Sequence, residues 1–129
     1  MNNYTDVKIL IVEDNFSLRR TITDILRTVG VTEIIHAEDG KVGLKRLREN
    51  DDVDLIMLDW DMPVMTGIQM LRELRSSNSQ YSDLPVLMLT AHGTQEDVIE
   101  AIQAGASDYI VKPFTPQTVY NKLKKLLKI

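Results

Sequence analysis

Four apolar runs in this chain each end in a polar residue of a different kind, and the four kinds complement one another. Ile9-Leu10-Ile11-Val12 ends in the acidic pair Glu13-Asp14, and Val53-Asp54-Leu55-Ile56-Met57-Leu58 ends in Asp59. Val86-Leu87-Met88-Leu89 ends in Thr90, and Tyr109-Ile110-Val111 ends in Lys112. If these runs are parallel strands of one α/β sheet, their carboxyl ends share an edge, where ligands bind at the point at which the strand order reverses. That edge collects three carboxylates, a hydroxyl and an ammonium. Carboxylates brought together repel one another unless a cation stands between them, and hard oxygen donors suit Mg2+. The group reads as a site for a metal ion and a phosphoryl group.

The elements that must position these residues follow from the pattern between them. Five apolar runs alternate with five segments of helical period, as in βαβ units built around a parallel sheet. Segment 16–29 carries Leu18, Ile22, Ile25, Leu26 and Val29 at helical spacing and stops at Gly30. The strand Glu33-Ile34-Ile35-His36-Ala37 leads to a helix over 41–49 that turns Val42, Leu44 and Leu47 inward. Ile68, Met70, Leu71 and Leu74 mark a third helix, followed by the polar loop Ser76-Ser77-Asn78-Ser79. A fourth spans 94–104, with Val98, Ile99 and Ile102 apolar and Gly105 placed to stop it. Thr115 can cap the last helix, and Pro116 takes its first position, where a missing N–H is no loss. In that helix Val119, Leu123, Leu126 and Leu127 face the core.

Composition narrows the function. At 129 residues the chain fits one domain, expected over 7–129 after a short tail at 1–6, with nothing left for an output domain beyond the last helix. The net charge of −4 argues against direct binding of nucleic acid. The absence of cysteine excludes disulfide and thiol chemistry and is compatible with a reducing cytoplasm. No apolar run approaches the ~20 residues that span a bilayer. Met1-Asn2-Asn3-Tyr4 has no signal-peptide character, so a cytoplasmic monomer that does not touch the membrane is expected. His36 reads as a structural residue, because without cysteine or a second nearby histidine there is no zinc set.

Taken in order, Val12-Glu13-Asp14-Asn15, Ala37-Glu38-Asp39-Gly40, Asp59-Trp60-Asp61-Met62-Pro63 with Met65-Thr66-Gly67, Leu84-Pro85-Val86-Leu87-Met88-Leu89-Thr90-Ala91, and Ala104-Gly105-Ala106-Ser107-Asp108-Tyr109 through Lys112-Pro113-Phe114 form a specific series. Over nearly the whole chain it resembles the receiver domains of two-component response regulators, most closely the stand-alone chemotaxis members of that family. The resemblance implies a doubly wound, flavodoxin-like α/β fold: a five-stranded parallel sheet in the order 2-1-3-4-5 with five helices. It implies that Asp59 accepts a phosphoryl group from a histidine kinase, and that Glu13, Asp14, Asp59 and the backbone carbonyl of Asp61 hold Mg2+. Lys112 would pair with one phosphoryl oxygen and Thr90 donate to another. Asp61, Ala91 and His92 would flank the phosphoryl group, where His92, two residues past Thr90, either touches that group or its attacking water or is simply exposed. As Thr90 moves, Tyr109 would swing inward and signal to a target face that includes Val98, Tyr109, Val111 and Lys122. Such a protein modifies only itself and is not an enzyme acting on an external substrate.

Alternatives stand beside this reading. The downstream partner would be the flagellar motor switch, or a histidine phosphotransfer protein if the chain is a phosphorelay shuttle. Tyr109, Val111 and Lys122 match the motor-binding positions, whereas Gln95 departs from the lysine commonly found there. Asp59-Trp60-Asp61 also fits the Asp-x-Asp of haloacid dehalogenase-type phosphatases. Against that stand Pro63 in place of a threonine or valine, the mid-chain position of the motif, and the acidic pair before it. Taken alone, Asp14 or Asn15 is as readily a helix cap as a ligand. Trp60 would flank the site as a reporter, and Tyr109 could equally be a buried ring with a wet hydroxyl.

Overall fold

A computed structural model describes residues 4–76, 79–91 and 93–128. The alternation read from the sequence appears as β1 (Lys8–Val12), α1 (Phe16–Thr28), β2 (Glu33–Ala37), α2 (Gly40–Glu49), β3 (Leu55–Asp59), α3 (Gly67–Leu74), β4 (Val86–Thr90), α4 (Gln95–Gln103), β5 (Asp108–Val111) and α5 (Pro116–Leu127). A single 3-10 turn, Tyr4–Asp6, precedes β1 within the segment read as a short tail. All strand pairs are parallel, in the order β2-β1-β3-β4-β5, the doubly wound order that the resemblance implied.

The central strands run apolar without alternation because both of their faces are covered. Ile9, Ile11, Leu55, Met57, Leu87 and Leu89 pack with Ile22 and Leu26 of α1 and Val119 and Leu123 of α5. On the other face Leu10, Val12, Ile56, Leu58 and Met88 meet Leu47, Met70, Leu71 and Ala101 from α2, α3 and α4. Two helices therefore cover one face and three the other, leaving β2 and β5 at the edges. Helix α4 sits on the sheet through the small side chain of Ala101, which turns Ile99 (45% exposed) and Ile102 (46% exposed) outward.

Helix starts are set by short polar side chains. Asn15 caps α1 by accepting the Leu18 N–H at 2.8 Å, so the cap falls to Asn15 and not to its neighbour Asp14. Thr66 and Gln69 form a capping box at α3, and Thr115 with Pro116 opens α5 as expected. Gly30 and Gly105, the two expected helix stops, both have φ of +110°, a conformation that disfavours any residue with a Cβ. Among the described residues no helix is long and apolar enough to cross a membrane.

Candidate functional site

Parallel pairing carries the strand tips to one edge. Val12 pairs with Leu58, Asp59 with Leu89 and Thr90 with Val111. The ladder continues one step beyond, with Glu13 N donating to Ala37 O at 3.0 Å, Trp60 N to Leu89 O at 3.0 Å and Lys112 N to Thr90 O at 2.7 Å. Glu13, Asp59, Thr90 and Lys112 thus occupy tips of neighbouring strands. The connection after β1 runs to one side of the sheet, to β2, and that after β3 to the other, to β4, so the crevice opens between β1 and β3, where Glu13-Asp14 and Asp59 stand.

Glu13, Asp59 and Thr90 are buried, while Asp14 and Asp61 are exposed. The carboxylates of Glu13, Asp14 and Asp59 each offer an oxygen, and these oxygens lie within 4.8 Å of one another. The Lys112 ammonium reaches Asp59 Oδ1 at 2.5 Å and Glu13 Oε1 at 3.4 Å. Glu13 is gripped twice more: its Oε2 accepts the Asn15 N–H at 3.0 Å and its backbone carbonyl accepts from Arg19 Nη1 at 2.7 Å. The floor under Asp59 is glycine by necessity. A Cβ at Gly67 would strike the Asp59 carbonyl oxygen, and Gly67 N donates to Trp60 O at 2.9 Å.

The electrostatics follow from burial with too little positive charge. Burial raises the Asp59 carboxyl above the usual carboxylate range, the Lys112 contact opposes it, and the charges of Asp14 and Asp61 add to the rise. Burial likewise pushes Glu13 up to about 7, against the pull of the Asn15 N–H and Lys112. At Lys112 burial disfavours the ammonium, yet Asp59 and Glu13 outweigh it and raise the pKa. Among the described residues the three clustered carboxylates face one ammonium, and a dication would restore the balance. The donors are all hard oxygens, so the residues fit Mg2+ and not a soft metal.

The other expected residues lie around this edge. Ala91 is exposed just past β4, Trp60 is half-buried against the core, and His92 lies outside the described residues. Tyr109 is half-buried on β5 against the side of the core that carries α4, with Lys122 Nζ 5.5 Å from its ring centroid. Val98 of α4 is half-buried and Val111 of the edge strand β5 is exposed at 37%, so these residues of the expected target face lie along α4 and β5. Sequence reading missed Asn15 and Arg19 as supports of Glu13. It also missed Asp108, a buried carboxylate held by Lys122 and Lys125. Only the apolar run broken by an acid at its start hinted at the last.

Comparison with known proteins agrees with this geometry. The chain is 43% identical over 122 residues to chemotaxis protein CheY of Pseudomonas aeruginosa, covering 95% of this chain and 97% of that one. It is 38% identical over 121 residues to a chemotaxis protein CheY homolog of Campylobacter jejuni, covering 94% and 92%. Among solved structures, chemotaxis protein CheY4 of Vibrio cholerae superposes with a TM-score of 0.85 at 36% identity, covering 94% of this chain and 98% of that one. Residues 9–124 match the response regulator receiver domain, and the chain belongs to that family, which displaces the phosphatase alternative raised by Asp59-Trp60-Asp61.

Proposed function

We propose that this chain is a phosphorylation-switched signalling protein of the chemotaxis type, with Asp59 as its phosphoacceptor and residues 7–129 as its receiver domain. The observation that carries the reading is the buried Asp59 carboxylate, held 2.5 Å from Lys112 Nζ among two further carboxylates at the switch point of the sheet. A histidine kinase would be the donor. One Asp59 oxygen forms a bond to phosphorus as the bond from phosphorus to the donor imidazole nitrogen breaks, leaving an acyl phosphate. Glu13, Asp14, Asp59 and the backbone carbonyl of Asp61 would hold Mg2+, which when bound neutralises charge gathering on the transferred oxygens. The Lys112 ammonium passes from the carboxylate to a phosphoryl oxygen, and the Thr90 hydroxyl donates to another. Little covalent help is needed, because phosphoryl transfer is governed by positioning and charge stabilisation.

Thr90, drawn toward the phosphoryl group, leaves room that Tyr109 enters, and the β5 edge with Val98, Val111 and Lys122 changes shape for a downstream protein. The chemotaxis names of the relatives support the flagellar motor switch as that partner. A cytoplasmic location goes with this role. The test is labelling with acetyl phosphate: phosphate is expected on Asp59 alone, only with Mg2+, and not at all in Asp59→Asn. Acid-stable phosphate on Thr90, or labelling that persists in Asp59→Asn, would overturn the assignment.

A further inference from the structure

β5 is an edge strand whose two faces differ sharply. Alternation along the strand sends Asp108 and Ile110 toward the layer of α1 and α5, and Tyr109 and Val111 toward α4. Asp108 is 6% exposed, and both of its carboxylate oxygens are engaged. Oδ1 accepts the Tyr109 N–H at 2.8 Å and Lys122 Nζ at 3.0 Å, while Oδ2 accepts Lys125 Nζ at 3.0 Å. The same Lys122 ammonium lies 5.5 Å from the Tyr109 ring centroid, within the range of a cation–π contact. One lysine therefore reaches around the open edge of the sheet, touching a carboxylate on one face and an aromatic ring on the other.

The two lysines are not equivalent. Lys122 is 28% exposed and bridges both groups, whereas Lys125 is 68% exposed and meets only the carboxylate. Burial alone would raise the Asp108 carboxyl, yet hydrogen bonds from Lys122 and Lys125 hold it below the usual range, so it stays ionised as an anchor. Asp108 is also bonded to the backbone of the residue whose ring would move, and that backbone is held in the sheet.

The structure assigns Asp108 a positioning role in the switch: by fixing Lys122 against the Tyr109 ring it holds that ring at the sheet edge in the unphosphorylated protein. The assignment rests on the reading of Tyr109 as the moving ring. A contact made in one state and lost in the other shifts the balance between them by its own free energy. Here the ring can turn inward only by giving up its cation. Lys122, still ion-paired to Asp108, is then presented to whatever binds the face. Resting Tyr109 and the lysine of the target face are thus restrained by one carboxylate.

The test uses the full chain with 3-fluorotyrosine, the Tyr109 resonance being identified by loss in Tyr109→Phe. Fluorine spectra are taken with and without beryllofluoride, which mimics the phosphoryl group. Asp108→Asn is expected to move the resting Tyr109 resonance toward its beryllofluoride position, as for about a threefold or larger rise in the inward population. Asp108→Glu should restore most of the resting position. Lys122→Met, which takes the cation off the ring and leaves Asp108 paired with Lys125, should act like Asp108→Asn and covers the case in which Asp108→Asn does not fold. Lys125→Met should leave the resonance in place. An unmoved resonance in Asp108→Asn and Lys122→Met, or an equal shift in Lys125→Met, overturns the positioning role. Trp60 fluorescence separates the two readings: failure of wild-type protein to respond to beryllofluoride defeats Asp59 as acceptor, whereas an intact wild-type response, in fluorescence and in the Tyr109 resonance, with a resting resonance unmoved in Asp108→Asn and Lys122→Met defeats the clamp alone.

Discussion

Asp59 and Asp108 are both buried aspartates salt-bridged to lysine, yet they are supplied with positive charge very differently. Asp108 has two ammoniums and a backbone N–H to itself, and its carboxyl is held below the usual range. Asp59 shares the single ammonium of Lys112 with Glu13, has Asp14 and Asp61 as further negative neighbours, and its carboxyl is pushed up. A buried acid with enough cations is a structural pin. One with too few is a site waiting for charge, and a metal ion and phosphoryl chemistry fit there for the same reason.

The contrast breaks most visibly at Asp59 itself. Asp59→Asn should reduce acetyl phosphate labelling to background while making metal-free protein more stable in urea at neutral pH. The sign follows from the raised carboxyl: its contribution to stability is greatest at low pH and declines as pH rises from the unfolded value through the folded one. Lower stability of this variant at pH 7 without Mg2+ would mean that the pair with Lys112 outweighs the crowding.

The same deficit predicts the response to metal. Mg2+ at 100 times its dissociation constant should stabilise the wild type by about 2.7 kcal/mol and quench Trp60 fluorescence. Asp14→Asn should weaken both strongly, as one of the three clustered carboxylates is removed. Asp108→Asn should leave the Mg2+ affinity untouched, so a fall there would erase the distinction between pin and site.

At the other pole, Asp108→Asn should cost about 1.5–3 kcal/mol at neutral pH, the scale of hydrogen bonds to a charged group. Because the Asp108 carboxyl is lowered, this stability is fully present above the ordinary carboxylate range and is lost as pH falls through the folded value. The urea curves of variant and wild type should therefore converge in acid. A gap independent of pH would point to packing instead of charge.

The smallest effect lies in the loop after Asp59. Val64 is 72% exposed with φ of 70°, a left-handed conformation that a β-branched residue adopts only under strain. Val64→Gly should be neutral or stabilising by up to about 1 kcal/mol, and should leave labelling of Asp59 intact. A clear loss of stability would show that this side chain makes contacts that repay its strain.

What was legible in the sequence, and what was not, divides along physical lines. The strand tips were legible because an apolar run that ends in a polar residue marks both an element and its boundary, and parallel order then brings the tips together. The last helix announced itself through Thr115 and Pro116, whose side chains act locally. The choice between Asp14 and Asn15 as cap was not legible, since either can accept the N–H three residues on, and only the fold gives it to Asn15. The outward turn of Ile99 and Ile102 goes with Ala101 being the residue of α4 that is buried, a choice of face that the helical period alone does not encode. Asp108 escaped notice because its partners lie 14 and 17 residues away on another element. Val64 gave no sign, because its residue type is the wrong one for its conformation.

The lysine that completes the site is separated from Asp59 by 53 positions and from Glu13 by 99. During synthesis the Asp59 carboxylate thus leaves the ribosome long before the Lys112 ammonium, and the sheet that joins them is complete only when β5 has been added. A nascent or truncated chain lacking β5 holds an aspartate like any other. The pairing of Asp59 with Lys112 therefore forms only once β5 has joined the sheet.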